Sequence, residues 1–268
     1  MNSIKDAKRV VVKVGTSTLA YPNGKLNIRR IEDLVKVLSD LKNQGREVVL
    51  VSSGAIGAGV GTLNLPSRPS EVRMKQAVAA IGQIELMNVY RKFFADYGHH
   101  VAQVLLTKDV VDDDHRKENA IETFKALLSL GVVPIVNEND VISYEEIEFG
   151  DNDTLSAVVA SLIDAELLIL LSDIDGLYDS DPHKNENAKL IQVVEEITDE
   201  IKHMATGSST KQGTGGMTTK LKAAEIATSR GINMIIANGN NPSKTLYTIF
   251  DEKPCGTLFL GKEKLKRM

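Results

Sequence analysis

RVVVKVG, residues Arg9–Gly15, is the stretch that decides the fold. Four valines among six residues, closed by a glycine, are typical of a short strand buried in a parallel sheet. Apolar residues then recur at steps of three and four from Ile28 to Leu41, which predicts one apolar helical face that ends before Gly45. EVVLV, Glu47–Val51, repeats the strand pattern. The sequence therefore predicts a strand–helix–strand unit, from which parallel α/β sheets are built.

The same alternation continues along the chain, and no repeat of fixed period or obvious linker interrupts it. Further strands are predicted at Val101–Leu106, Val132–Val136, Glu166–Leu171, Ile232–Ala237 and Gly256–Leu260. Helices are predicted at about Ser70–Tyr97, about His115–Leu130, Asp153–Asp164 and Gly215–Arg230. We therefore predict one α/β unit with a mostly parallel sheet and helices on both faces, with two lobes that meet near residues 165–175.

Length and composition limit the class of protein. A chain of 268 residues with 42% hydrophobic and 25% charged residues is ordinary for a globular protein, which rules out wholesale disorder. The pI of 5.8 argues against a basic nucleic-acid-binding protein, and no apolar run approaches the roughly 20 residues of a membrane helix. The single cysteine, Cys255, and the absence of a secretory signal after Met1 predict a cytoplasmic protein without an internal disulfide.

Small hydroxyl, glycine and amide residues follow the carboxyl ends of four predicted strands. Ligands of open α/β sheets bind at that edge, and the backbone N–H groups of such residues can approach an anion closely. The segments are Lys13–Ser17, Ser52–Gly59, Asn137–Asp140 and Ser172–Leu177. They predict a phosphate- or carboxylate-binding site, although a strand-to-helix turn with a serine cap would equally explain Ser53 and Gly54.

Two further segments each begin a predicted helix. GTGGMTTK, Gly213–Lys220, suits phosphate oxygens at a helix N-terminus with Lys220 supplying positive charge; the alternative is a mobile Gly/Ser-rich loop over Thr206–Gly216. The segment does not match a P-loop, and the first strand lacks a dinucleotide-binding fingerprint. GDND, Gly150–Asp153, is explained by acidic helix capping or by a site for a substrate amino group, a metal ion or the orientation of lysines.

Together, six segments closely resemble the amino acid kinase family: VVKVGTS (Val11–Ser17), VSSGAIGAG (Val51–Gly59), PIVNENDV (Pro134–Val141), FGDNDTLSA (Phe149–Ala157), LLSDIDGLYDSDP (Leu170–Pro182) and GTGGMTTKLKAA (Gly213–Ala224). They cover nearly the whole chain in the right order. NEND, GDND and GTGGM resemble the family's glutamate-phosphorylating members rather than its acetylglutamate, carbamate, nucleotide or isopentenyl-phosphate kinases. The resemblance implies a three-layer α/β/α sandwich forming a single domain over residues 1–268. It also implies an amino-acid-binding lobe over about 1–165 and an ATP-binding lobe over about 166–268. Many members of the family carry a further C-terminal RNA-binding-like PUA domain, and none is expected here because the sequence stops at Met268.

The resemblance implies that ATP phosphorylates the side-chain carboxylate of L-glutamate, the first step toward proline, with Mg²⁺ held through the ATP phosphates. It implies that Lys13 and Lys220 stabilise the transferring phosphoryl group and that Asp153 orients both lysines. Glutamate binding is assigned to Ser53, Asp140 and Asn152, with Asn137 as a neighbour. ATP binding is assigned to Lys13, Gly15, Ser172, Asp173, Thr214, Gly215, Gly216, Met217, Thr218, Thr219 and Lys220.

The resemblance also implies partners. Proline is expected to inhibit by competing for the glutamate site, with Ser143–Phe149 as the loop that tunes inhibition, and the chain is expected to form a dimer or tetramer. No nucleic-acid or membrane partner is expected. The alternative functions are a related kinase of the same fold, such as an acetylglutamate kinase, and a non-catalytic sensor that binds an amino acid and a nucleotide. The presence of Lys13, Lys220 and Asp153 favours the enzyme over the sensor.

Overall fold

The protein folds around one mostly parallel sheet, described here from a computed structural model. The structure describes residues 4–107, 109–142, 152–182, 184–206 and 216–262, without the side chains of residues 109 and 206. Within these residues the sheet has eight strands in the order β3-β4-β2-β1-β5-β7-β8-β6. The strands are β1 (Arg9–Val14), β2 (Glu47–Ser52), β3 (Val101–Leu106), β4 (Val133–Glu138), β5 (Leu167–Ser172), β6 (Val193–Val194), β7 (Asn233–Asn238) and β8 (Thr257–Phe259).

Helices cover both faces of the sheet. They are α1 (Thr16–Leu19), α2 (Ile28–Asn43), α3 (Ala55–Leu63), α4 (Val72–Asp96), α5 (Asp109–Asp112), α6 (Asp114–Ser129), α7 (Asn152–Leu162), α8 (Asp199–Thr206), α9 (Met217–Ser229) and α10 (Pro242–Phe250), preceded by a 3₁₀ turn at Ile4–Asp6. None of the helices in the described ranges has the length and apolar character that crossing a membrane requires.

Strand β1 lies near the centre of the sheet, between β2 from the first half of the chain and β5 from the second half. Val14 is level with Ser52 of β2 on one side and with Leu171 of β5 on the other. The carboxyl ends of three strands therefore meet at one edge. This register brings the polar residues that follow the strands to a common place.

Alternation along β1 divides its side chains between two cores. Val10, Val12 and Val14 pack in the core beneath α2, α4 and α10, whereas Val11 packs in the core beneath α7 and α9. Because side chains alternate with a period of two, Lys13 lies on the same face as Val11. The one charged residue of this buried run thus faces α7 and α9.

Helices α3 and α4 cross at unusually close range. A methyl group at Gly59 would overlap the carbonyl oxygen of Val78, and one at Gly82 would overlap that of Ala55. Glycine at both positions therefore lets the two helix backbones touch. The crossing fixes the middle of α4 against the start of α3, close to the end of β2.

The predicted α/β fold with a mostly parallel sheet is confirmed, and the main differences lie at element ends. Strand β4 continues to Glu138 and β5 to Ser172, so Asn137 and Ser172 are strand residues rather than loop residues. No ranges were predicted for the helices α1, α3, α5, α8 and α10 or for the two-residue β6. Strand β8 pairs antiparallel with β7, which is the exception to parallel pairing among the described strands.

Candidate active site

A carboxylate held between two lysines forms the centre of the site. Asp153, in the first turn of α7, contacts Lys13 of β1 at 2.5 Å from Oδ1 to Nζ. Its Oδ2 contacts Nζ of Lys220, in the first turn of α9, at 3.0 Å. The side chains of Lys13, Asp153 and Lys220 are only 9%, 1% and 7% exposed. The structure thus brings together the three residues predicted to be catalytic.

The charges of this trio do not cancel. Burial raises the pKa of the Asp153 carboxyl, but the charges and hydrogen bonds of Lys13 and Lys220 outweigh burial and hold that pKa below its ordinary value. One carboxylate therefore faces two ammonium groups. The surplus positive charge lies where little water screens it, so the trio is suited to stabilising a highly charged anion.

Hydroxyl groups and a glycine support the trio. Thr219 Oγ1 donates to the Gly216 carbonyl at 2.8 Å and lies 3.4 Å from Asp153 Oδ2. Ser156 Oγ donates to the main-chain oxygen of Asp153 at 2.6 Å, which fastens the first turn of α7. A methyl group at Gly15 would lie 3.7 Å from Lys13 Nζ, so the Gly15 backbone borders the lysine amine.

A second cluster joins three residues predicted to bind glutamate. Asn152 Nδ2 donates to Ser53 Oγ at 2.8 Å and to Asn137 Oδ1 at 2.9 Å. These residues come from the start of α7, the loop after β2 and the end of β4. Because Asn152 directly precedes Asp153, the amide cluster and the lysine–carboxylate trio share the first turn of α7.

Helix α4 supports this cluster with two residues that the sequence analysis missed. Gln83 Oε1 accepts a hydrogen bond from Asn137 Nδ2 at 3.1 Å. Tyr90, two turns further along the same helix face, forms a 2.9 Å hydrogen bond with Ser52, and Ser52 Oγ donates to the main-chain oxygen of Ser53 at 3.0 Å. Burial raises the pKa of Tyr90, so this phenol stays protonated. The only available signal was a glutamine and a tyrosine seven residues apart, in a helix that carries several other polar residues.

Asp140 follows β4 and is half-buried. Burial raises the pKa of its carboxyl to about 6; the nearby Glu138 adds to this rise and Arg68 opposes it. Among the described residues, no hydrogen bond ties Asp140 to Ser53, Asn137 or Asn152. Its role in binding glutamate therefore stays a prediction.

The residues predicted to bind ATP are only partly described. Ser172 ends β5 and donates from Oγ to Asp173 Oδ1 at 3.0 Å, at the same sheet edge as Lys13. Gly216 caps α9, Met217 is buried and Thr218 is exposed. Thr214 and Gly215 lie outside the described residues, as does Ser143–Phe149.

A parallel sheet with two buried lysines near its carboxyl edge is suited to phosphoryl transfer, and sequence comparison identifies the family. Residues 8–238 match the model of the amino acid kinase family. The chain belongs to this family. It is 57% identical over 265 residues to a glutamate 5-kinase from Clostridium perfringens, which spans 97% of this chain and 98% of that protein. A second one, from Clostridium acetobutylicum, is 54% identical over 97% of both chains. Within the family, the chain groups with the glutamate 5-kinases.

Solved structures support the fold independently. UMP kinase from Bacillus anthracis aligns with a TM-score of 0.64 over 96% of this chain and 97% of that one, at 16% sequence identity. Isopentenyl phosphate kinase from T. acidophilum aligns with a TM-score of 0.62 over 94% of this chain and 99% of that one, at 18% identity. At such low identity the likeness extends to the fold and no further.

Proposed function

We propose that the chain transfers the γ-phosphoryl group of ATP to the side-chain carboxylate of L-glutamate, giving ADP and L-glutamyl 5-phosphate. The observation that supports this most directly is the buried Lys13–Asp153–Lys220 trio beside the Ser53–Asn137–Asn152 cluster. The named glutamate 5-kinases at 57% and 54% identity support the choice of acceptor.

The reaction needs alignment and charge neutralisation rather than a base. A carboxylate oxygen of glutamate attacks the γ-phosphorus; a new O–P bond forms while the bond from the β–γ bridging oxygen to the γ-phosphorus breaks, and ADP leaves with that electron pair. The nucleophile is already an anion, so no proton has to be removed. Lys13 and Lys220 would stabilise the charge on the phosphoryl oxygens, and Asp153 would hold the two amines apart at fixed positions.

We propose that ATP binds with Mg²⁺ on its phosphates. Mg²⁺ prefers phosphate and water oxygens to an all-protein cage. Both oxygens of Asp153 already contact an ammonium group, and no group of three or more potential ligand side chains occurs among the described residues. When bound, the ion would neutralise phosphate charge. Gly15, Ser172, Asp173 and the start of α9 would then contact the nucleotide.

Trapping of the acyl phosphate tests the proposal. The purified chain would be given Mg·ATP and hydroxylamine with L-glutamate, N-acetyl-L-glutamate or L-aspartate, and both ADP and hydroxamate would be measured. We expect hydroxamate with L-glutamate alone. Turnover of N-acetyl-L-glutamate alone would agree with a kinase of this fold but would contradict L-glutamate as the phosphoryl acceptor. ATP binding without turnover of any acceptor would favour the sensor function instead.

Binding of L-glutamate should depend on pH through the ionisation of Asp140. An ionised carboxylate is needed to attract the substrate ammonium group, and the pKa of Asp140 is raised to about 6, so this attraction is present above pH 6 and is lost as the pH falls through that value. We expect kcat/KM for L-glutamate to fall below about pH 6 in the wild type. The inflection in kcat should lie at lower pH, because a bound ammonium group lowers the pKa of Asp140 in the complex.

Asp140→Asn is the matched variant, since it keeps the shape and removes the charge. It should raise KM for L-glutamate by about 10- to 100-fold, the value of a hydrogen bond to a charged group, and leave KM for ATP nearly unchanged. The inflection in kcat/KM near pH 6 should disappear in this variant. An unchanged KM, or an inflection that persists, would remove Asp140 from the glutamate site.

We also propose the partners and location that the family resemblance implies. Proline offers the same ammonium and carboxylate groups as glutamate and would compete for the same cluster. Self-association is supported by three exposed aliphatic side chains on one side of α4: Met74, Ile81 and Ile84 are 44%, 37% and 63% exposed. The lone Cys255 is consistent with the cytoplasm as the site of the reaction.

A further inference from the structure

A backbone contact identifies which terminal atom of the Asn137 amide is the oxygen and which is the nitrogen. The backbone N–H of Glu138 lies 2.9 Å from Asn137 Oδ1, and an N–H group can only donate, so the Asn137 atom facing it must be the oxygen. Asn137 Nδ2 therefore faces Gln83, and the Gln83 atom that meets it at 3.1 Å must be Oε1. Backbone geometry thus determines the direction of both hydrogen bonds.

The same reasoning fixes the Asn152 amide. The atom of Asn152 that lies 2.9 Å from Asn137 Oδ1 must be the donor Nδ2. The carbonyl oxygen of Ser52, which can only accept, lies 3.4 Å from the same nitrogen and agrees with this assignment. Hydrogen bonds therefore run in one direction from Asn152 through Asn137 to Gln83, and Asn152 donates a separate hydrogen bond to Ser53.

Two hydrogen-bonding groups of these residues are left for a ligand. Asn152 Nδ2 uses its hydrogens on Asn137 and Ser53, whereas Asn152 Oδ1 has no donor among the described residues. Ser53 Oγ accepts from Asn152, and its own hydrogen likewise has no acceptor in the described part of the chain. One acceptor and one donor side by side match the ammonium and carboxylate groups of an α-amino acid.

We propose that Gln83 is a positioning residue for the substrate amino group: through Asn137 it holds Asn152 so that Oδ1 is the atom that accepts from the ammonium of glutamate. This inference rests on the proposed function and adds a residue of α4 to it. The close crossing at Gly59 and Gly82 places the neighbouring Gln83 against the end of β4.

Gln83 matters because Asn137 is almost completely buried, with 3% of its surface exposed. Within the described residues, Gln83 supplies the acceptor for Asn137 Nδ2. Without that acceptor the N–H donor of Asn137 Nδ2 would be buried and unpaired, which would destabilise this orientation of the side chain. We expect the side chain to turn toward water instead, releasing Asn152 from its orientation.

Gln83→Leu tests the proposal, with L-glutamate as substrate and glutarate as a competitive inhibitor that lacks the amino group. We expect KM for L-glutamate to rise about tenfold, the value of one hydrogen bond to a charged group. The inhibition constant of glutarate should change by about twofold at most, since glutarate does not use the ammonium contact. The dissociation constant of ATP, measured without glutamate, should stay at the wild-type value. An equal loss of affinity for L-glutamate and for glutarate would indicate general damage to the site and overturn the proposal.

Gln83→Glu is the rescue variant, because a carboxylate still accepts from Asn137 Nδ2. It should retain most of the affinity for L-glutamate; a loss as large as that of Gln83→Leu would contradict the direction of the hydrogen bonds. Asn43→Leu, at an exposed amide in the last turn of α2, is the matched control and should behave as wild type. If the leucine variant does not bind ATP, Gln83→Met repeats the test with a flexible side chain of similar length.

Different results would overturn the proposed function and the role of Gln83. Wild-type protein without turnover on L-glutamate would overturn the proposed function and the role of Gln83 with it. Wild-type protein with normal turnover, beside a Gln83→Leu variant with unchanged KM, would overturn only the role of Gln83.

Discussion

Lys220→Ala is expected to lower kcat for glutamate phosphorylation by about 10²- to 10³-fold, the usual effect of removing one preorganised charge-stabilising group. Lys220 Nζ contacts Asp153 at 3.0 Å and is buried in the first turn of α9, so water can replace it only poorly. KM for L-glutamate should change much less, because the Ser53–Asn137–Asn152 cluster is untouched. Steady-state kinetics with both substrates, together with a thermal unfolding scan, measures these effects.

Lys222→Ala is the matched control for this prediction. Lys222 lies on the same helix and loses the same side chain, but it is exposed to solvent. It should keep the wild-type kcat. Near-normal turnover in Lys220→Ala would remove Lys220 from the mechanism, whereas equal losses in both variants would point to damage of α9 as a whole.

Asp153→Asn should reduce both activity and stability. The substitution keeps the shape of the side chain but leaves Lys13 and Lys220 buried without their shared counter-charge. Removing one partner of a buried ion pair costs about 3–5 kcal/mol, so we expect the free energy of unfolding to fall by about that amount. We also expect kcat to fall by at least about 10²-fold, because the two amines would repel each other from their positions. Urea unfolding and steady-state kinetics measure the two effects.

The difference in unfolding free energy between Asp153→Asn and the wild type should become smaller as the pH falls. Because the pKa of Asp153 is lowered in the folded protein, its carboxylate stabilises the fold above the unfolded pKa of about 4. That stabilisation is lost only as the pH falls through the lower folded value, so variant and wild type should converge in strongly acidic solution. Asp114→Asn, an exposed aspartate in the first turn of α6, is the control and should change stability little. Equal stability of Asp153→Asn and wild type at neutral pH would contradict the role of the carboxylate.

The meeting of Lys13, Asp153 and Lys220 could be predicted from the sequence because each of them has a local signal, whereas the catalytic role proposed for them came from the family resemblance. Lys13 is a charge inside the valine run of β1, Asp153 begins a helix, and Lys220 follows a glycine-rich segment. The rule that ligands bind at the carboxyl edge of parallel strands then predicts that such residues meet. The pairing of both lysines with Asp153 was implied by the family resemblance alone, and the structure adds its geometry: each lysine contacts a different oxygen of the carboxylate.

Gln83 and Tyr90 could not be predicted because their roles depend on packing between distant elements. Within α4 they are one amide and one aromatic residue among several, and nothing in the local sequence sets them apart. Their positions depend on the close crossing of α3 and α4 at Gly59 and Gly82, which determines which part of α4 packs near the ends of β2 and β4. Strand ends were misjudged for a related reason: Asn137 and Ser172 look like loop residues by composition, yet pairing with Leu105 and Asn238 extends their strands.

The central position of β1 also has a consequence for how the chain folds. Val10 pairs with Val48 on one side, but on the other side it pairs with Leu167, which is synthesised much later. Contacts between residues so distant in sequence are slow to form, because the loop must close before the contact is gained. The ion pair of Lys13 with Asp153 spans almost the same distance. During synthesis on the ribosome, β1 therefore has an unpaired edge until β5 emerges, and enzymatic activity would report completion of the whole sheet rather than of its first half.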